Sequence, residues 1–429
     1  MQLTRRAFLG SCLAATAGGA APSLARQPSE ILKGKPGVIP VQWEGLGEIL
    51  RARHRDPRRL FAFEYYPWYA TDPVRHWQAW GRTPPVDIAA SSLPLLGAYD
   101  SLAASVIEHH ARWISDAGVG VVNLSWWGVG SFADRAVHLV MDVMRAHDIH
   151  VAFHIEPYGP QRVSRTGDDL RYLLREYGQK RRWDAFFLHE RADGSTGPVF
   201  KWFRSTLPRT RVDCHGVTRT VADYTADAAW RRAINRARTM VDGQFDRVTL
   251  LADTSNMVRA SRAGWDGIAI YDSMVDVDAW TGYADLATRH GLLYTFPVNA
   301  GLDVIDRRLP AEDCRSRVPP FVPDIGPFDW SRDEDRTRAH AAALDRIDET
   351  LAWNLYLQLE PVILGNTARG FFLVYINSFN EWHEGTQFEP MKPYRQLSRA
   401  ERTIGYHNAL DDGFARLDRL AALLRRLGL

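Results

Sequence analysis

Very little in this chain of 429 residues is in excess. It has three cysteines, no surplus of either charge, no internal repeat, no coiled coil and, beyond its first residues, no low-complexity tract. No segment of the mature chain approaches the ~20 uninterrupted apolar residues that a spanning helix needs, so no membrane association is expected. Lys+Arg number 53 against Asp+Glu 51, which removes the electrostatic ground for a nucleic-acid partner or an anionic membrane surface. A Gly-rich turn carrying Lys or Arg is missing, and with it a phosphate cradle; a dinucleotide fingerprint is missing, and with it hydride transfer. Ser-His-Asp hydrolysis has no anchor, because no Gly-x-Ser-x-Gly elbow occurs. His383-Glu384 starts like a zinc-binding helix pair, but Gln387 stands where the second histidine would have to be, so neither a metal nor another cofactor is expected.

Aromatic residues are plentiful: 15 Trp and 15 Tyr. Ring faces pack on the apolar C–H faces of sugars, although a large aromatic core accounts for most residues of this kind.

The N-terminus reads as an export signal. Thr4-Arg5-Arg6-Ala7-Phe8-Leu9 sets paired arginines before a weakly apolar Ala/Gly-rich run, and Ser23-Leu24-Ala25 supplies a small-x-small cleavage site. A twin-arginine signal over 1–25, handled transiently by the Tat export machinery, places the mature protein in the periplasm or outside the cell. Leu9-Gly10-Ser11-Cys12 looks like a lipoprotein box but lies too close to Arg6 to leave an apolar region between them. Cleavage after Ala25 leaves Cys214 and Cys314, either as a disulfide or as two thiols.

From there the chain divides into a lead segment, 26–59, and a single catalytic domain, 60–429. Within the domain, short apolar runs alternate with amphipathic stretches, the pattern of βα units. Eight runs read as strands: Leu60–Tyr65, Gly120–Ser125, His150–His154, Pro198–Phe203, Arg247–Ala252, Gly267–Tyr271, Leu292–Phe296 and Phe371–Ile376. Eight is the number that closes a parallel barrel, so the expected fold is α/β, a (β/α)8 TIM-type barrel. Helical faces lie between them, such as Val137, Val140 and Met144, and the final seam Phe414, Leu417, Leu420 and Leu424 is expected to pack on the barrel wall. Two long βα loops interrupt the rhythm, Tyr66–Asp100 after strand 1 and Asn299–Asp335 after strand 7, the second carrying Pro319, Pro320, Pro323 and Pro327. Long loops in a compact barrel usually build the site.

A barrel gathers the residues just past its strands on one face. Here they are Tyr65, Tyr66 and Trp68; Trp126 and Trp127; Glu156 and Tyr158; Asp253; Tyr271 and Asp272; Asn299; and Glu381 with Glu384. Carboxylates interleaved with aromatics suit a sugar. The plainer readings stand beside this one: Tyr65 and Trp68 as rings plugging the barrel, Asp253 as a cap on the following helix, His154 as a histidine satisfied within the fold. Glu156, in His154-Ile155-Glu156-Pro157-Tyr158, is harder to dismiss, since a buried acid needs a partner.

The run Ser378-Phe379-Asn380-Glu381-Trp382-His383-Glu384-Gly385-Thr386-Gln387 carries the most information. It ends the apolar segment Phe371–Ile376 by delivering two carboxylates three residues apart. Such spacing also occurs as solvated surface charge. Trp382 between the acids favours chemistry, because a loop has little use for a large ring unless something stacks on it.

At these residues the chain resembles glycoside hydrolase family 99, the retaining endo-α-1,2-mannosidases and endo-α-1,2-mannanases. The matching blocks are Tyr65-Tyr66-Pro67-Trp68-Tyr69, Leu96-Gly97-Ala98-Tyr99-Asp100-Ser101, Leu124-Ser125-Trp126-Trp127-Gly128, Phe153-His154-Ile155-Glu156-Pro157-Tyr158 and Ser378 to Glu389, in order from about Phe61 to Pro390. The resemblance implies a (β/α)8 barrel and substrate-assisted catalysis, in which the sugar's 2-hydroxyl attacks its own anomeric carbon to form a 1,2-anhydro intermediate. It implies Glu381 as the base on that hydroxyl and Glu384 as the acid on the leaving oxygen, and it puts Trp126, Glu156 and Tyr271 in the sugar pocket. The candidate substrate-binding set is then Tyr66, Trp126, Trp127, His154, Glu156, Tyr158, Tyr271 and Trp382, for a glycan of the α-mannoside type. One block departs from the family pattern: Phe203-Arg204-Ser205-Thr206 stands where the family tends to have Tyr-Asp-Ser-Tyr. The exchange of an acid for Arg204 leaves a different, acidic or substituted, glycan open, as is a non-catalytic glycan-binding protein that kept the aromatic cleft. Both Glu381 and Glu384 argue for catalysis, since binding alone needs neither acid at that spacing.

Overall fold

A computed structural model describes residues 41–429 except 160, 181, 214, 304–327 and 360–363. The export signal, the pairing of Cys214 with Cys314 and the prolines of the second insertion lie outside the described residues. The barrel strands are β1 (Phe61–Tyr65), β2 (Val121–Trp126), β3 (His150–Ile155), β4 (Thr196–Trp202), β5 (Thr249–Ala252), β6 (Gly267–Ala269), β7 in two pieces (Leu293–Thr295 and Pro297–Asn299) and β8 (Val374–Asn377). They are almost wholly buried and read as near-continuous apolar runs, as parallel strands covered on both faces must. Helix α1 (Trp43–Arg53) precedes β1; α2 (Ala104–Asp116), α3 (Phe132–Ala146), α4 (Arg162–Leu173), α5 (Asp227–Val241), α6 (Met257–Ala263), α7 (Trp280–Arg289) and α8 (Asp333–Leu359) follow β1 to β7 in turn, and α9 (Ala415–Arg426) follows β8.

Every neighbouring pair of strands is parallel, from β1 through β7, and the second piece of β7 pairs with β8, which pairs back with β1. The fold is therefore the expected (β/α)8 barrel, with nine strand segments because β7 breaks at Phe296. The break falls where Pro297, which has no N–H to give a ladder, follows. Buried polar side chains of α8 take up the backbone there: Phe296 N–H donates to Asn354 Oδ1 at 3.3 Å and Asn299 N–H to Thr350 Oγ1 at 3.2 Å. Backbone donors buried away from water need such acceptors.

Side chains alternate between two environments along each strand. Phe61, Phe63 and Tyr65, with Val122, Leu124 and Trp126, belong to the core between barrel and helices. Ala62, Val121, Ala152, Val199, Leu251, Ala269, Leu293 and Tyr375 form a separate apolar layer inside the barrel. A third core, between the loop after β1 and the loop after β8, gathers Tyr66, Tyr69, Trp77, Tyr99, Trp382 and Met391. The two loops are stitched together by backbone bonds from Leu95 N–H to Pro390 O (2.9 Å) and from Lys392 N–H to Leu93 O (3.0 Å).

The lead segment carries an element that its sequence does not announce. α1 buries Trp43, Gly47 and Leu50, and a Cβ placed on Gly47 would stand 2.2 Å from the Leu427 carbonyl oxygen just beyond α9. Backbone sits where the side chain would be, so no rotamer relieves the clash. Gly47→Val is expected to lower the melting temperature by about 1–3 °C, the size of a ~1–3 kcal/mol overpacking penalty in a chain of this length. Differential scanning calorimetry checks it, and an unchanged melting temperature would show that α1 contributes nothing to the folded barrel.

Candidate active site

Two residues above the apolar layer, the barrel interior turns polar. Glu64, on β1, is fully buried, as are Asn123 (β2), His154 (β3) and Lys201 (β4). Lys201 Nζ donates to Glu64 Oε1 at 2.5 Å, Asn123 Nδ2 donates to Glu64 Oε2 at 3.0 Å, and His154 Nδ1 lies 2.9 Å from the same oxygen. Burial alone pushes the Glu64 carboxyl up; His154 and Lys201 beside it outweigh that and hold it at about 2, against an ordinary 4.5.

Above this layer lies the turn that follows β8. Ser378 N–H donates to Thr386 O at 3.0 Å and Phe388 N–H to Ser378 O at 2.8 Å, so the ten residues return to their starting point. Inside, Ser378 Oγ accepts the Glu381 N–H at 2.8 Å. Gly385 (φ 67°) leaves no alternative residue: a Cβ there would lie 2.4 Å from the Asp303 carbonyl oxygen. From behind, Arg416 of α9 donates through one nitrogen to the carbonyls of Gly385 and Gln387, both at 2.9 Å. Asp303, just past β7, adds its own N–H to the Glu384 carbonyl at 2.8 Å. A turn this heavily bonded presents its side chains in one arrangement.

It presents two acids. Glu381 and Glu384 are 1 % and 2 % exposed. Glu381 Oε1 accepts the backbone N–H of His383 at 3.1 Å, and Glu384 Oε2 accepts the hydroxyl of Tyr271, two residues past β6, at 3.1 Å. Tyr271 is itself fixed at both ends of its peptide, by Asp253 Oδ1 on its N–H (2.9 Å) and by Asn377 Nδ2 on its carbonyl (2.8 Å). Glu156 follows β3 and accepts from Ser125 Oγ at 2.8 Å, which in turn accepts from the half-buried Trp127 indole at 3.1 Å. Tyr66, fully buried in the core between the two loops, has its N–H and carbonyl both held by the side chain of Asn380 at 2.7 and 3.1 Å. Tyr158 stands at the rim with its hydroxyl on Asp169 of α4, and burial together with that carboxylate pushes the phenol far up.

Three more of the expected substrate-binding residues lie elsewhere. Trp126 shares the parity of Val122 and Leu124, so it points into the helix layer, where its indole N–H donates to Asp134 of α3 at 2.7 Å. Its neighbour Trp127, one residue on, has the mouth-facing parity. Trp382 is fully buried in the core between the two loops, and its indole N–H donates to Glu389 Oε2 at 2.7 Å; a ring there is accounted for by packing, not by stacking on a ligand. His154 faces the barrel interior and belongs to the Glu64 layer beneath the mouth. Asp253 does not cap α6, whose N-cap is Asn256; it holds the N–H groups of Tyr271 and Arg204. Tyr65 points outward, with its oxygen 3.0 Å from His110 Nδ1.

Glu64, Lys201, Asn380, Asp303 and Arg416 were not among the residues expected from sequence. A signal existed for three of them. Glu64 and Lys201 are charges in the middle of otherwise apolar strands, and Arg416 lies four residues before Leu420, on the apolar seam of α9 where an arginine has no surface to reach.

The glycosyl hydrolase family 99 model matches residues 67–315 of the chain. The chain is 25% identical over 369 residues to the glycoprotein endo-alpha-1,2-mannosidase of Mus musculus, covering 78% of this chain and 68% of that protein. It is 28% identical over 368 residues to the glycoprotein endo-alpha-1,2-mannosidase-like protein of Danio rerio, covering 78% and 72%. Among solved structures, the GH99 endo-alpha-mannosidase from Bacteroides thetaiotaomicron superposes with a TM-score of 0.57 at 22% identity, over 86% of this chain and 98% of that one. That likeness is one of fold.

The Glu64 layer makes a pH prediction. Its folded value, about 2, lies below its ordinary 4.5, so its contribution is complete above pH ~4.5 and disappears as pH falls toward 2. Compared with the Glu64→Gln/Lys201→Met variant, the wild type should lose on the order of 3 kcal/mol of unfolding free energy between pH 5 and pH 2. Urea titrations across that range measure the difference; a constant difference would mean that Glu64 is not ionised in the barrel.

Proposed function

The chain belongs to glycoside hydrolase family 99 and is a glycoside hydrolase; from that premise we propose a retaining enzyme that cleaves α-mannoside-type glycans, α-1,2-linked mannan or high-mannose chains, by substrate assistance. The observation that carries the reading is the turn after β8, which fixes two buried carboxylates three residues apart, one met by a backbone N–H and the other by a tyrosine hydroxyl. The mannoside assignment leans on the names of the relatives at 25% and 28% identity.

In the first step Glu381 takes the proton of the sugar's 2-hydroxyl as that oxygen bonds to the anomeric carbon from behind. The bond to the leaving oxygen breaks, and Glu384 gives that oxygen its proton. In the second, Glu384 draws a proton from water as the water oxygen attacks the anomeric carbon, the 1,2-anhydro ring opens, and Glu381 returns the proton to oxygen 2. Two inversions give net retention. The step needs one carboxylate ionised and one protonated, which adjacent acids in unequal surroundings supply. Tyr271 sets the direction of the Glu384 carboxyl through its hydroxyl. Trp127, Glu156 and Tyr158 flank the mouth and are assigned to the sugar; Tyr66, Trp126, Trp382 and His154 support the walls. Residues 60–429 act in this reading as one catalytic domain, and the paired arginines Arg5-Arg6 favour export through the twin-arginine route to the periplasm or the medium.

An acidic or substituted glycan is the second reading, and Arg204 is its basis. Its guanidinium lies 3.2 Å from Asp223, so its charge is already met within the protein, and burial lowers its pKa. Arg204→Ala is accordingly expected to leave the ranking of neutral over acidic glycans unchanged in competition assays; a reversal would favour the second reading.

The central test is reducing-sugar release from α-1,2-linked mannan or a glucosylated high-mannose oligosaccharide. Glu384→Gln and Glu381→Gln should each lower turnover by about 10²–10⁴-fold while the fold persists by circular dichroism. Binding of these glycans without turnover by the wild type would instead identify a glycan-binding protein.

A further inference from the structure

The charged layer beneath the mouth has no part in the two steps above. In a barrel of this kind the interior positions are packed with branched apolar side chains. Here Glu64 and Lys201, 0 % and 1 % exposed, face each other across the interior. Stability is a weak reason for such a pair, because well-packed apolar residues of similar volume are usually as good or better. Position is a stronger one. Lys201 Nζ lies 5.3 Å from the ring centroid of Tyr271 and 4.5 Å from that of Tyr375. Phe203 meets the Tyr271 ring edge-on at 5.4 Å and His154 lies 5.9 Å from it, so the ring is boxed between a cation and two other rings. At its far end the same ring places a hydroxyl 3.1 Å from Glu384.

We propose that the Glu64–Lys201 pair is a positioning device: Glu64 fixes the Lys201 ammonium, the ammonium fixes the Tyr271 ring, and the ring aims the carboxyl of Glu384. The inference rests on the acid/base role given to Glu384 under Proposed function. The low pKa of Glu64 agrees with a standing ion pair. No proton leaves the pair in this scheme. Lys201 and Glu64 act through Tyr271 and are not catalytic residues.

The test is a double-mutant cycle between the paired change Glu64→Gln/Lys201→Met, which removes both charges of the pair at once, and Tyr271→Phe. The paired variant should keep its KM and lose about 10–100-fold in kcat, the scale of a small displacement of a reacting group. In the Tyr271→Phe background the same paired change should cost less than about 2-fold, because its route to Glu384 is already cut. Multiplicative losses, or an unchanged kcat in the paired variant, overturn the proposal. A crystal structure of the paired variant gives a readout free of activity: Tyr271 is expected to leave hydrogen-bonding distance of Glu384, and retention of the 3.1 Å contact overturns the proposal. Should the paired variant not fold, Lys201→Arg keeps the cation but moves its charge centre; the same kcat loss with KM retained is expected, and full activity overturns the idea. An inactive wild type would refute the proposed function, while the crystal structure would still decide this inference.

Discussion

Closing eight parallel strands into a ring gives every strand one face toward the interior and one toward the helices, and a shift of one residue exchanges the two. This alternation sorts every candidate in the site. Tyr65 and Trp126 go outward with Phe63 and Leu124, while Glu64 and Ser125, their immediate neighbours, go in. Just past the strands the same parity carries Trp127 and Glu156, next to the outward Trp126 and Ile155, to the mouth. Glu381 and Glu384 are set by the turn that follows β8, one against the His383 N–H and the other against the Tyr271 hydroxyl.

The interior is costly to charge, and the barrel meets that cost pairwise. Lys201 answers Glu64, and His407 answers Asp303: burial pushes the Asp303 carboxyl up, His407 at 2.9 Å outweighs it, and the acid stays below its usual range. Arg416 lies in the same region with burial drawing its guanidinium down to about 10 and two carbonyls of the acidic turn as acceptors. Around Glu389 the hydroxyl of Tyr99 and the indole of Trp382 converge on one oxygen, and His110 lies 3.2 Å from the other. The loop that carries the two acids is held in place because its polar atoms are engaged from several elements at once.

Much of this was legible in the chain itself, for a physical reason. Parallel strands buried on both faces are apolar runs, and eight such runs separated by amphipathic stretches announce the barrel before any contact is known; the eight expected segments all overlap the strands found. The turn from Ser378 to Gln387 stood out because acids, amide and rings end an apolar strand. What the chain hid was set by neighbours distant in sequence. Trp382 looks like a stacking platform until Glu389 and the loop after β1 enclose it. Trp126 and Trp127 are indistinguishable by type, and strand parity alone separates them. Asp253 before Thr254 and Ser255 reads as a helix cap, yet its oxygens are claimed by Tyr271 and Arg204 from other strands. Glu64 and Lys201 lie well over a hundred residues apart, so neither predicts the other, although each is a charge where a strand should be apolar.

The packing of α1 on α9 has a meaning for the order in which the molecule can be made. Residues near the start of the described chain have their docking surface at its far end, and Gly47 meets Leu427 only once α9 is in place. Arg416, on that same helix, supplies donors to the turn that bears Glu384. Until α9 is in place, α1 is a helix without its seat and the turn that bears the two acids lacks its brace. The brace of the turn and the seat of α1 both lie on α9, whose docking sets side by side two helices far apart in sequence.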